Sequence, residues 1–541
     1  MKKQDSQEQI HSLISSLTLE QKIGQLFMLA FTGKDLDYPT RLVKNRFING
    51  FYLSQDNAET LAEAKELTHR LQAAANQTGI DLPLIFATDQ EGAWGVLVPE
   101  TVTGPGNLAL GSANDPRLTT EIYGIYAREI MAAGYNVILS PCADINSNPD
   151  NPIIGTRAFG DSVELVSRHV QAAVKGALQN RIACCGKHFP GHGDTGLDSH
   201  RTLPVVDRSL EHLLEQDLAP FQAAIDSGVP MMMTSHIIFP QIDPDNPATL
   251  SHKIMTGLLR DRMGFDGVIV TDSMNMWGMR KNYSPAEAAV QALIAGCDII
   301  MLSEEHYENS LGDYEAKQAA TIDGVIAAVK EGRLALERVE QSLARIYTFK
   351  LKLHKNISDF VQLSPRVSTT EHQNTAALAA EKAIKVLRDD QSLLPLQGKL
   401  ILAGISSDDA SNMVAATRGI GPNEPRPAFD VFREVFCKLH PDAEVLSPEQ
   451  LARLCMGEET IPVDVTLVAV TEDYPLPGLD YDTEAQKDLI QQLVKITAGR
   501  LVVMALRSDY ELRHFDGLST YVCAYSSRAC SAKALAEFNV E

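Results

Sequence analysis

The sequence predicts a (β/α)8 barrel followed by a smaller α/β domain with an open sheet. Three observations carry this: eight short apolar runs, helix-like segments between them, and polar residues placed directly after six of the runs. The runs are Gln25–Phe31, Gly50–Leu53, Leu84–Thr88, Val137–Pro141, Ile182–Gly186, Pro230–Thr234, Gly267–Thr271 and Asp298–Leu302. Their hydrophobicity is continuous and does not alternate, as expected of strands buried on both faces in a parallel sheet. Between them, segments such as Ala58–Ala75, Arg117–Ala133 and Ser162–Gln179 read as helices. Eight such strand–helix units over about 250–350 residues are what a closed barrel requires.

Polar groups follow the runs with regularity. Asp89-Gln90-Glu91 follows LPLIFAT, Asp144 follows VILSPCA, and Lys187-His188 follows IACCG. Ser235-His236 follows MMMT, Asp272-Ser273 follows GVIVT, and Glu304-Glu305 follows IIMLS. Barrel enzymes build their sites at the C-terminal ends of the strands, so this pattern predicts a catalytic barrel. The barrel is expected over residues 1–353, a polar linker over 354–369, and the second domain over 370–541. There a helix is expected at Thr370–Leu387, then apolar runs at Leu400–Ile405, Val465–Val470, Leu501–Leu506 and Thr520–Tyr525, with a helix at Asp480–Thr497.

Composition narrows the partners. With 48 basic and 70 acidic residues the net charge is −22, which disfavours polyphosphate and hence nucleic acid. No run reaches the roughly 18–20 apolar residues of a membrane span. The N-terminus follows its two lysines with polar residues where a leader would carry its apolar segment, so a cytoplasmic location is expected. The eight cysteines form no CxxC pair and fall mostly in apolar runs, the pattern of buried, reduced thiols.

The densest chemistry lies in Lys187–His200, KHFPGHGDTGLDSH. Pro190 and the glycines at 191, 193 and 196 exclude a helix, leaving a long loop after a strand. Asp198 and His200 stand two residues apart and can face the same way on extended chain. A carboxylate bonded to an imidazole sets its tautomer and raises its basicity, which suits proton transfer. Two other readings compete: a loop that only satisfies its own hydrogen bonds, or a metal site drawing on His188, His192, Asp194, Asp198 and His200. The spacing matches none of the common zinc patterns, and acid/base work is preferred. No metal or cofactor is expected. Asp272, ending an apolar strand, is either a loop cap or a group that attacks an anomeric carbon.

These blocks together resemble the glycoside hydrolase family 3 β-N-acetylglucosaminidases. The likeness is carried by SLTLEQKIGQLF, ATDQEG, NPIIGTRAFG, KHFPGHGDTGLDSH, MTSHIIFP, PATLSHKIMTGLLR and GFDGVIVTDSMNM. The resemblance implies a retaining enzyme with Asp272 as nucleophile, His200 as acid/base and Asp198 as its orienting partner. It further implies that Asp89, Arg157, Lys187 and His188 bind the sugar of the −1 subsite. The implied substrate is a terminal β-linked N-acetylglucosamine on a small carbohydrate or muropeptide-type fragment of bacterial cell wall. A phosphorylase, a β-glucosidase and a non-catalytic sugar-binding barrel are the alternatives. The chain departs from the family after DQEG: it reads AWGVLVPE, with Ala93, Trp94 and Leu97 where relatives carry an arginine.

Overall fold

The computed structural model describes residues 3–92, 100–197, 199, 202–303, 311–361, 366–405, 426–471 and 483–538. Eight parallel strands form the first sheet: β1 Phe27–Leu29, β2 Gly50–Tyr52, β3 Ile85–Thr88, β4 Val137–Ile138, β5 Ala183–Phe189, β6 Met231–Thr234, β9 Val268–Val270 and β10 Ile300–Leu302. Their order is β10-β1-β2-β3-β4-β5-β6-β9. A parallel bridge between Val270 and Ile299 joins β9 to β10 and completes the ring. Seven of the predicted apolar runs contain one of these strands, and the fifth, Ile182–Gly186, covers only the start of β5, which runs on through Lys187 and His188 to Phe189. Side chains of the strands are buried on both faces, toward the barrel axis and toward the helices outside.

Helix boundaries follow local chemistry. Thr60 accepts from the Glu63 N–H and caps helix Leu61–Ala75, and Asp115 caps helix Pro116–Ala132, whose first residue is a proline. A short antiparallel hairpin, β7 Ile238–Phe239 and β8 Asp243–Pro247, interrupts the alternation after β6. The sequence reading omitted it because PQIDPDNP carries no apolar alternation. Helix Leu336–Val361 closes the barrel and continues through residues 354–361, which were expected within the linker.

The second domain is one six-stranded sheet, ordered β11-β16-β15-β14-β12-β13. These are β11 Lys385–Asp389, β12 Lys399–Ile405, β13 Glu444–Val445, β14 Val465–Thr471, β15 Leu501–Ala505 and β16 Thr520–Cys523. All neighbours pair in parallel except β11 with β16. The predicted helix 370–387 stops at Ala383, and KVLRD forms β11, a partly exposed edge strand. The barrel helix Asn107–Ala113 inserts Leu108 and Ala109 into the apolar layer on one face of this sheet. In return Ala376 and Ala379 of helix Thr370–Ala383 join the barrel core. The two domains therefore share buried surface. No helix among the described residues is long and apolar enough to cross a membrane.

Candidate active site

The C-terminal ends of β3, β4 and β5 converge on a buried ionic network. Lys187, inside β5 and 1% exposed, places Nζ 2.5 Å from Asp89 Oδ1 and 2.6 Å from Glu91 Oε1. Tyr52, at the end of β2, donates to the other Asp89 oxygen at 3.0 Å. Arg157 forks onto Glu91, with Nε 2.9 Å from Oε2 and Nη2 3.0 Å from Oε1. Two cations and two carboxylates thus meet in one small volume. Burial raises the cost of each charge, and only such close pairing makes it tolerable.

Protonation follows from the same contacts. Burial pushes the Glu91 carboxyl up, but Arg157 and Lys187 outweigh it and hold it down at about 2. Burial pushes the Lys187 ammonium down, yet the Asp89 and Glu91 carboxylates leave it above its ordinary value. Lys187 and Arg157 are therefore permanent donors and cannot act as bases near neutral pH.

His188 is engaged on both ring nitrogens. Nδ1 lies 2.7 Å from Asp144 Oδ2, and Nε2 lies 3.1 Å from Arg157 Nη2. Since arginine can only donate, Nε2 accepts and Nδ1 carries the proton toward Asp144. Asp144 is wholly buried and also accepts from the backbone N–H groups of His188 and of His192, the latter at 2.7 Å. Burial opposes ionisation of Asp144, but His188 and the donors around it keep its carboxyl below the usual range. Among the described residues, Cys142, Asp144 and His188 form the group that could jointly ligate an ion. Their facing atoms are already bonded to one another, with Cys142 Sγ 3.1 Å from Asp144 Oδ2.

The loop after β5 is tied at several points. Gly193 passes so close to the β4 loop that a Cβ there would lie 1.6 Å from the Ile145 carbonyl oxygen. Asn151 donates to the His192 and Gly193 carbonyls, and its own carbonyl accepts from the N–H groups of Ile153 and Ile154. That one side chain joins the loop carrying Arg157 to the loop after Lys187. His192 has Nδ1 2.9 Å from Thr195 Oγ1 and Nε2 2.8 Å from Ser199 Oγ. Burial, with His188 nearby, lowers the His192 pKa to about 4, so the ring is neutral. Asp194 pairs with Arg208 at 2.7 Å. His192 and Asp194, two of the metal-like candidates, thus serve the loop's shape.

Asp272 stands just past β9, partly exposed. Its N–H donates to Thr234 Oγ1 of β6 at 3.3 Å, and its Oδ1 accepts from the Ser273 N–H at 2.7 Å. Behind it His236 has Nε2 2.9 Å from the Ser273 carbonyl oxygen. The segment after Asp272 meets the β5 loop: a Cβ on Gly278 would lie 2.8 Å from the Ser199 carbonyl oxygen and 2.6 Å from that of Thr202. Asp89, Arg157, Lys187 and His188 are thus joined in one network, and Asp272 follows β9, two strands round the barrel from β5. Asp198 and His200 lie outside the described residues, as do Ala93, Trp94, Leu97, Glu304 and Glu305. Glu91, Asp144 and Tyr52 are the organisers that the sequence reading did not assign. The two acids carried a signal, their position directly after a strand, whereas nothing marked Tyr52.

The chain is similar to known proteins over its barrel and beyond. The model of the glycosyl hydrolase family 3 N terminal domain matches residues 18–349. Beta-hexosaminidase A of Pseudoalteromonas piscicida is 32% identical over 376 residues, which are 66% of this chain and 62% of that protein. The chain therefore spans less than two thirds of that relative's length. A solved glycoside hydrolase family 3 beta-N-acetylglucosaminidase from Paenibacillus sp. is 30% identical with a TM-score of 0.81, covering 96% of both chains. The solved Beta-N-acetylhexosaminidase of Beutenbergia cavernae is also 30% identical, TM-score 0.56, with 99% of its chain matched by 62% of this one. On its barrel, its strand-end residues and this match, the chain belongs to glycosyl hydrolase family 3.

Proposed function

We propose that the protein is a retaining β-N-acetylglucosaminidase that removes terminal β-linked N-acetylglucosamine from small, cell-wall-derived fragments. Asp272 attacks the anomeric carbon while His200 gives its proton to the departing glycosidic oxygen. Water then loses a proton to His200, adds to the same carbon and releases Asp272. Asp198 orients His200, and Asp89, Arg157, Lys187 and His188 hold the sugar in the −1 subsite.

One observation carries the reading. Ser199, between Asp198 and His200 in the sequence, is bonded to His192 and packs against Gly278, six residues beyond Asp272. That contact supports a proton donor and a nucleophile on adjacent loops. The fixed cations of the network suit hydroxyl and carbonyl acceptors on a sugar, and two similar proteins carry the names beta-hexosaminidase and beta-N-acetylglucosaminidase.

A panel of aryl glycosides, with and without inorganic phosphate, tests the proposal. Aryl N-acetyl-β-glucosaminide is expected to be the preferred substrate without added metal, and proton NMR of early product should show the β-anomer. Preference for aryl β-glucoside, or an α-anomer first, would overturn it. Formation of a sugar 1-phosphate would assign a phosphorylase.

A further inference from the structure

One side chain of the second domain reaches the loop that carries Glu91. Arg528 precedes helix Ala529–Glu537, is 2% exposed, and donates from Nε to the Gly92 carbonyl at 2.5 Å. Gly92 directly follows Glu91, the carboxylate that holds both Arg157 and Lys187. Its φ is +80°, and a Cβ there would lie 2.4 Å from Tyr126 Oη and 2.7 Å from Gly106 Cα. The peptide is therefore confined to a tight left-handed turn, and its carbonyl points toward the second domain.

Further along this loop a second tie repeats the arrangement. Val102 N–H donates to Glu129 Oε2 at 2.5 Å. Glu129 Oε1 accepts from the Ser368 N–H at 2.7 Å and faces His372 Nδ1 at 2.6 Å, where the chain enters the second domain. The loop that leaves Glu91 is thus held at Gly92 by Arg528 directly, and at Val102 by the barrel's Glu129, which Ser368 and His372 hold in turn. A charged donor on a buried carbonyl makes a stronger bond than a neutral one, and losing it leaves that carbonyl unsatisfied.

We propose that Arg528 is a positioning residue for the sugar site: by holding the Gly92 carbonyl it keeps Glu91 seated between Arg157 and Lys187. The second domain then takes part in substrate binding through the barrel loop, without touching the sugar. The proposal rests on the reading that Arg157 and Lys187 bind the −1 sugar.

The test compares full-length Arg528→Ala and Arg528→Lys with Lys533→Ala, an exposed position on the same helix. Hydrogen exchange over residues 85–92 and steady-state kinetics on aryl N-acetyl-β-glucosaminide are read together. For Arg528→Ala, exchange in that segment should be ~10-fold faster, and KM should rise ~10-fold with kcat within about threefold, as expected when substrate positioning is lost. Arg528→Lys should fall between it and the wild type, and guanidinium ions should partly restore KM in Arg528→Ala but not change Lys533→Ala. If both Arg528 variants match Lys533→Ala in exchange and KM, the proposal is overturned. Should the alanine variant not fold, the lysine variant decides by the same two measurements. Absence of wild-type turnover would overturn the functional reading, while exchange over 85–92 would still decide the role of Arg528.

Discussion

His192 Nε2 lies 2.8 Å from Ser199 Oγ, so a buried neutral imidazole holds the loop between the two residues assigned to proton transfer. His192→Ala removes this tie and the one to Thr195. The expected result is a kcat loss of about 10–100-fold with little change in KM, because a misplaced proton donor fails in the transition state more than in binding. Stopped assays on aryl N-acetyl-β-glucosaminide measure it; an unchanged kcat would remove His192 from the mechanism.

Asp272→Asn should lower kcat by about 10³-fold or more, since the covalent intermediate cannot form. His200→Ala should harm substrates with poor leaving groups far more than activated aryl glycosides, which need less protonation. Equal losses across a leaving-group series would exclude His200 as the acid.

Glu91 is the hinge of the ionic network. Glu91→Gln leaves Arg157 and Lys187 without their shared counter-charge, and breaking a buried pair in this way destabilises by about 3–5 kcal/mol. Thermal unfolding should show a lowered Tm and sugar binding should weaken. In the wild type, Glu91 is held at about 2 in the fold against its ordinary value near 4.5. A lowered folded pKa gives stability that is present above about pH 4.5 and is lost as pH falls toward 2. The variant should lack that acid-side dependence.

Asp217 has the opposite sign. Burial, with Asp194 opposing ionisation and His212 4.0 Å away favouring it, raises its pKa to about 6. The folded state therefore binds a proton that the unfolded chain has released, and stability from this group falls as pH rises from about 4 to 6. Asp217→Asn should be more stable than the wild type at pH 7–8, by up to about 2 kcal/mol, and should lose the advantage near pH 4. Urea unfolding at the two pH values checks it; a constant difference between them would contradict the assigned ionisation.

The barrel strands were legible because each is buried on both sides and so writes an apolar run, from Phe27–Leu29 to Ile300–Leu302, broken at the end of β5 by Lys187 and His188. β11 and β13 were not, because they lie at the edges of their sheet and carry exposed or half-exposed residues such as Lys385 and Glu444. Helix propensity in the preceding segment therefore predicts a helix on to Leu387, where pairing with β16 ends it at Ala383. The hairpin β7–β8 is polar and was equally silent.

The same division holds in the site. Sequence alone determined the residue types at the strand ends and their order along the chain, because a (β/α)8 barrel repeats one unit and brings every strand end to one face. Lys187, His188, Asp89 and Asp272 could be named from that rule and from the motifs. Only the tertiary structure decided which charges neutralise which. Glu91 serves Arg157 from 66 positions away, Asp144 serves His188 from 44, and Arg528 reaches Gly92 across 436. Such pairings depend on distances of about 3 Å between groups on different elements. Spacing along the chain does not encode them, because close packing of the barrel and the second domain sets those distances.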